Sequence, residues 1–232
     1  LVRSISFTGS TRVGTHIREL AARSGKKLTL ELGGKSPNII FADADLDIAL
    51  EFAMFGIFAG QGEVCSAGSR LLLDRRLGGD FLHRLVSACE KIVVGSGRDE
   101  ATEMGPLISR AHQKKVLDYI QAGCCEGGEI MCGGGTYNDK RSAGNFVQPT
   151  IFSNTKPSMR IVKEEIFGPV LAVQYFDGED EAVQIANDTI YGLAAGVFTS
   201  DGSRAQRVIR RLRAGITWIN TYHPTFNEAP WG

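Results

Sequence analysis

The sequence predicts an α/β fold of three layers, with a mainly parallel sheet between two layers of helices. Short apolar runs of strand character alternate with stretches of helical periodicity rather than with hairpin turns, a pattern that calls for right-handed crossovers and parallel pairing. One of these runs, Leu71-Leu72-Leu73, is apolar on consecutive residues, as in strands covered on both faces. The composition, 43% hydrophobic and 22% charged over 232 residues, supplies enough apolar side chain for a substantial core.

Taken in order, Val2, Ile5 and Phe7 predict a strand that turns at Thr8-Gly9-Ser10-Thr11 into a helix with Val13, Ile17, Leu20 and Ala21 on one face. A second strand, Leu28 to Leu32, breaks at Gly33-Gly34. Extended structure resumes at Asn38-Ile39-Ile40-Phe41, and Asp43 to Asp47 opens a helix that runs to about Phe58, its acidic start suiting the helix dipole. A strand at Arg70-Leu71-Leu72-Leu73 and an amphipathic helix from Phe81 to Val93 follow. Further on come a helix over about Ser109 to Ala122, a short strand Glu129 to Cys132 and a polar loop Thr136 to Asn145. The last third predicts strand Val170 to Tyr175, helix Glu179 to Ala186, strand Ala194 to Thr199, helix Ser203 to Arg211 and strand Gly215 to Asn220. A single strand-turn-helix at the start is not a complete dinucleotide-binding domain, and the chain closes on Ala229-Pro230-Trp231-Gly232 without a finishing element, so truncation at both ends is expected.

The 26 basic residues balance the 26 acidic ones with no long run of one sign, which points away from nucleic acid and anionic membranes and towards a small-molecule partner. Neither a membrane span nor a signal peptide is expected. The five cysteines, Cys65, Cys89, Cys124, Cys125 and Cys132, form neither a disulfide framework nor a zinc pattern, so no metal and a reduced, cytoplasmic setting are expected.

Three segments carry chemistry. Phe7 to Gly14 brings two glycines and several hydroxyls to the point where a strand feeds a helix. Gly9, Ser10 and Gly14 there can meet a phosphate, although the same pattern also serves as an ordinary helix cap with Gly14 for close packing. Glu31 interrupts an apolar run, and a carboxylate in such a place is either a candidate general base or one half of a salt bridge, with Lys35 the nearest partner. Cys65 lies among the small residues Ser66, Ala67 and Gly68, which leave the sulfur approachable as a nucleophile. It is therefore expected to be the fast-reacting thiol, the other four being inert. None of His16, His83, His112 and His223 lies in a motif that pairs it with the sulfur.

Leu30-Glu31-Leu32-Gly33-Gly34-Lys35-Ser36-Pro37 resembles the active-site glutamate motif of the aldehyde dehydrogenase superfamily, and Gly62-Glu63-Val64-Cys65-Ser66-Ala67 resembles its cysteine motif. Lys163 to Val170 and Asn187 to Gly196 are similar to two further segments of that family, so the resemblance covers nearly the whole chain. It implies that residues 1–33 are the end of a Rossmann-like NAD-binding domain and residues 34–232 a catalytic domain incomplete at its C-terminus. It implies NAD or NADP as cofactor, an aldehyde as substrate, and a parent protein that is a homodimer or homotetramer. Cys65 becomes the nucleophile and Glu31 the base. Gly9, Ser10, Gly14 and Leu32 become cofactor contacts, Glu165 the partner of the nicotinamide ribose and Phe167 the ring beside the nicotinamide. Gly60 departs from the family's usual non-glycine residue and is expected to loosen the helix end before Cys65. The closing stretch Trp218 to Gly232 resembles betaine-aldehyde dehydrogenases, with Tyr222, Phe226 and Trp231 as candidate aromatic faces for a cationic head group. Two other functions remain open at this point: a non-catalytic relative kept for binding or structure, and a cysteine hydrolase that needs no cofactor.

Overall fold

The structure, a computed structural model, describes residues 2–226, 228 and 229. It contains two sheets. In the smaller, β1 (Ser4–Thr8) and β2 (Lys27–Glu31) pair in parallel across the crossover helix α1 (Thr11–Arg23). The Ser10 hydroxyl caps α1 by accepting the Val13 N–H, as a serine before an apolar-periodic run should.

The larger sheet follows, and its elements alternate almost without exception. Strand β3 (Pro37–Ile40) leads through α2 (Leu46–Phe58) to β4 (Arg70–Asp74), then come α3 (Asp80–Cys89) and α4 (Arg110–Cys125). Beyond them lie β5 (Glu129–Cys132), β6 (Thr150–Ser153), the single-turn α5 (Arg160–Lys163) and β7 (Val170–Phe176). The described elements close with α6 (Gly178–Asn187), β8 (Ala194–Phe198), α7 (Gly202–Ile209) and β9 (Ile216–Ile219). The strand order is β5-β6-β7-β4-β3-β8-β9, parallel throughout except for β5, which runs antiparallel to β6 at one edge.

The central strands show why the sequence folds this way. Leu71 and Leu73 of β4 enter one core with Ala53 and Ile57 of α2 and Phe81 and Leu85 of α3, whereas Leu72 enters the opposite core with Val183 of α6 and Val208 of α7. Consecutive leucines thus serve both layers, and each fully buried one contributes roughly 1.5–3 kcal/mol. Arg70, only 1% exposed, opens the same strand. Its guanidinium donates to the carbonyls of Lys35 (2.9 Å), Ile185 (2.9 Å) and Ala186 (2.7 Å), closing the last turn of α6 and tying it to β3. Burial pulls its pKa down to about 10.

Three expectations change. The helix predicted to reach Val93 ends at Cys89. Strand β6 and helix α5, in a stretch without a predicted element, have four residues each, too few to show a period. Gly60 does not loosen a helix: α2 has already ended at Phe58, and Gly60, Gln61 and Gly62 all take left-handed φ (57°, 59° and 69°), where glycine is at ease.

Candidate active site

A cleft of about 490 Å³ opens where the carboxyl ends of β1 and β2 face the amino ends of β3, β4 and β7. Thr8, Gly9 and Ser10 line it from the β1–α1 turn, Glu31, Leu32 and Gly33 from the end of β2, and Glu63, Val64 and Cys65 from the loop before β4. Glu165 and Phe167 come from the loop before β7, and His112 and Lys115 from the first turns of α4. The size is that of a small-molecule site.

The three left-handed residues after α2 turn the chain so that Cys65 reaches the cleft. Gly62 is required twice over, by its φ and because a Cβ there would lie 2.3 Å from the Gly168 carbonyl oxygen. The thiol is half-buried, and burial is the largest influence raising its pKa; the carboxylates of Glu165 and Glu31 push the same way, against backbone N–H groups of Ser66 and Cys65 that pull it down. Among the described residues no cation lowers it, contrary to the usual recipe for a reactive thiol. Cys124 and Cys125 are exposed while Cys65 is not, so Cys65 is not the most accessible thiol.

Glu31 ends β2, and its backbone carbonyl accepts the Gly9 N–H (3.0 Å), holding the phosphate-type turn against it. Its carboxylate makes no ion pair or hydrogen bond among the described residues, so the salt bridge to Lys35 does not form. Lys35 is instead fully buried, its Nζ without a partner and its pKa lowered to about 7 chiefly by burial. Across the cleft Glu165 accepts the Gly34 N–H (3.3 Å) and presses on Gly33, where a Cβ would lie 2.0 Å from Oε2. Burial raises the Glu165 pKa, with the Gly34 N–H and the charges of Lys115 and Lys35 opposing.

These residues fit a dinucleotide. The Gly33 cradle leaves room beside a carboxylate that can accept ribose hydroxyls, Phe167 offers a flat ring, and Gly9 and Ser10 stand at the N-terminus of α1, where backbone N–H groups and the dipole favour phosphate. The profile of the aldehyde dehydrogenase family matches residues 1–232. The chain belongs to the aldehyde dehydrogenase family. It is 48% identical to the betaine aldehyde dehydrogenase of Bacillus subtilis over 98% of this chain and 47% of that protein. It is equally 48% identical to the cytosolic aldehyde dehydrogenase 1 of Rattus norvegicus, over 100% of this chain and 46% of the other. The crystal structure of Staphylococcus aureus betaine aldehyde dehydrogenase in complex with NAD+ superimposes with a TM-score of 0.97 at 46% identity, covering 99% of this chain and 46% of that one. The chain spans about half the length of the curated relatives it matches.

Not every expected contact of an aldehyde dehydrogenase site lies in the cleft. Gly14 faces Leu32, whose Cδ2 would lie 2.3 Å from a Cβ there, so this glycine serves helix–strand packing rather than a phosphate. Tyr222 is 1% exposed; its hydroxyl donates to the Ser66 carbonyl (3.0 Å) and its ring fills the space beside Gly56, Gly68 and Gly196. It props the cysteine loop from behind instead of facing a substrate. Phe226 is 67% exposed and outside the cleft lining, and Trp231 lies outside the described residues.

Motif reading missed His112 and Lys115, one turn apart on α4, and Glu63 as a structural partner. Glu63 accepts the Ile108 N–H (3.2 Å) and lies 3.5 Å from His112 Nε2. His223 was also missed as a support: its Nδ1 meets Ser66 Oγ at 3.2 Å and its Nε2 the Gly56 carbonyl at 3.3 Å. The i, i+3 spacing of His112 and Lys115 was the only sequence sign that they share a face. Among the described residues no helix is long and apolar enough to cross a membrane, and no group of three or more ligating side chains is arranged for a metal.

Proposed function

We propose that the protein containing this chain oxidises an aldehyde to a carboxylic acid with NAD or NADP, through a thioester on Cys65. The observation that carries this reading is the convergence of Cys65, Glu31 and Glu165, from three separate segments, on one cleft.

The Cys65 thiol gives its proton to solvent, and the thiolate sulfur attacks the carbonyl carbon, forming the C–S bond as the C=O π pair moves to an oxyanion that the Cys65 backbone N–H receives. Glu31, whose carboxylate makes no ion pair or hydrogen bond among the described residues, accepts the proton of the water whose oxygen attacks the thioester and breaks the C–S bond, the sulfur leaving as thiolate. Bound NAD supplies the hydride acceptor that converts the thiohemiacetal to the thioester. Glu165 and Phe167 orient the nicotinamide end, Gly9 and Ser10 receive the pyrophosphate, and Leu32 is a further contact of the cofactor.

The two half-buried histidines nearest the cysteine loop argue against a cofactor-free cysteine hydrolase, for His112 is committed to the Phe167 carbonyl and His223 to Ser66 and Gly56. A non-catalytic relative would have no use for an unpaired Glu31 facing the sulfur's cleft. Betaine aldehyde, oxidised to glycine betaine, is the substrate favoured by the names of several relatives, though the equal identity to a general aldehyde dehydrogenase means that similarity alone does not select it. A homodimer or homotetramer in the cytoplasm belongs to the same reading, one relative being named cytosolic.

The test is nicotinamide absorbance of the full-length protein with NAD and aldehyde. Aldehyde-dependent NADH formation supports the reading, and its absence with every aldehyde tried ends it. Comparing betaine aldehyde with its neutral isostere 3,3-dimethylbutanal, in wild type and Trp231→Ala, then decides the substrate. A preference for the neutral compound removes betaine aldehyde.

A further inference from the structure

Phe167 sits beside the proposed nicotinamide site with φ 62°, a left-handed conformation that a bulky side chain rarely adopts and that must be held by its surroundings. Its carbonyl oxygen lies 2.6 Å from His112 Nε2. A carbonyl only accepts, so Nε2 carries the hydrogen and His112 donates. The imidazole also meets the Phe167 ring edge-on, with centroids 6.0 Å apart and planes at 73°.

The same Nε2 is 3.5 Å from Glu63 Oε1, and Glu63 stands two residues before Cys65. Its carboxylate is fastened to the approach of α4 through the Ile108 N–H, while the His112 N–H is held by the Ser109 cap. The first turn of α4 therefore grips both loops that form the far wall of the cleft, the one carrying Cys65 and the one carrying Glu165 and Phe167. His112 is the side chain that reaches both.

We propose that His112 is a positioning residue that clamps the strained Phe167 turn to the cysteine loop and so fixes the distance between the reacting sulfur and the nicotinamide site. The proposal rests on the aldehyde oxidation put forward above and adds to it a residue with no part in bond making. His112 need touch neither substrate nor cofactor. Its effect belongs in hydride transfer, the step most sensitive to small misplacements, and not in capture of the aldehyde.

The experiment uses the full-length protein, with His112→Leu to remove the donor and His112→Gln to keep an N–H donor on a similar reach. Two readouts are taken: the pre-steady-state NADH burst, and hydrogen–deuterium exchange of the peptide spanning residues 160–170 without ligand. The expected result is a burst slowed about three- to tenfold in His112→Leu, the loss corresponding to one hydrogen bond. The KM for aldehyde should stay within about twofold, exchange over the peptide should quicken, and His112→Gln should recover both readouts. Unchanged exchange overturns the clamp whatever the activity. Quickened exchange with an undiminished burst overturns the positioning role, as does a His112→Gln variant no better than His112→Leu. A wild type that makes no NADH with any aldehyde would retire the aldehyde reading instead, and the exchange data would still decide the clamp.

Discussion

The two sheets solve the burial problem differently. In the large sheet β3, β4, β6 and β8 are buried at every position, and Ile39, Ile40, Leu71, Leu72 and Leu73 have no exposed surface at all. In the small sheet no residue of β1 or β2 is fully buried, and Val2, Val13 and Leu20 are 65%, 37% and 51% exposed. The large sheet closes its core with its own chain and presents Cys65 from that support. Within this chain, which spans about half the length of its curated relatives, the small sheet holds Glu31 with fewer buried residues. Within residues 1–232, Cys65 thus rests on a sheet buried at its centre and Glu31 ends a strand of a sheet with exposed faces.

If the division of labour is right, Cys65→Ala has the largest effect: steady-state turnover of the full-length protein should fall on the order of 10⁴-fold or more, with its melting temperature preserved. A variant that keeps a substantial rate would move the nucleophile elsewhere. On the lightly packed side, Glu31→Gln should lower turnover by about 10²–10⁴-fold while leaving a burst of NADH, because the base is needed most when water attacks the thioester. Loss of burst and turnover together would place Glu31 earlier in the reaction than proposed.

The packing contrast can be tested in the same units on both sides. In urea unfolding of residues 1–232 by themselves, Leu72→Ala should cost about 2–5 kcal/mol through the cavity it leaves between β4, α6 and α7, whereas Val13→Ala on α1 should cost under about 0.5 kcal/mol. Equal costs would erase the comparison. The smallest effect concerns the thiol. Its pKa stands above the usual thiol value, so alkylation of Cys65 without cofactor should keep rising with pH beyond the range where an ordinary cysteine levels off. Glu165→Gln removes one of the charges that raise it, so at pH 8 labelling of Cys65, followed by peptide mapping, should be about two- to threefold faster. A slower rate would mean that Glu165 helps the thiolate rather than opposing it.

What could be read from the sequence depended on whether the signal was local. Leu71-Leu72-Leu73 announces a two-sided strand by itself, and the small residues around Cys65 and the stranded carboxylate of Glu31 are visible in a window of ten. The role of His112 is not, since its partner is a backbone carbonyl 55 residues away and no side-chain pattern encodes such an acceptor. Tyr222 misled for a related reason. An aromatic near a cationic-substrate motif looks like a binding face, but three glycines from three different segments converge to make a slot for it, and only the folded chain shows that they meet. Strand β5 is legible at the bounds it has, Glu129–Cys132, but its antiparallel direction is not, because four residues carry no record of direction.

The junction at Gly33 has a consequence for anyone redesigning such a protein. The Glu165 carboxylate rests where a methyl group at residue 33 would have to go, so a Cβ added there must push that side chain aside. A single added carbon at residue 33 works like a wedge behind one finger of a hand: the palm keeps its shape, and the finger that carries the carboxylate has to move.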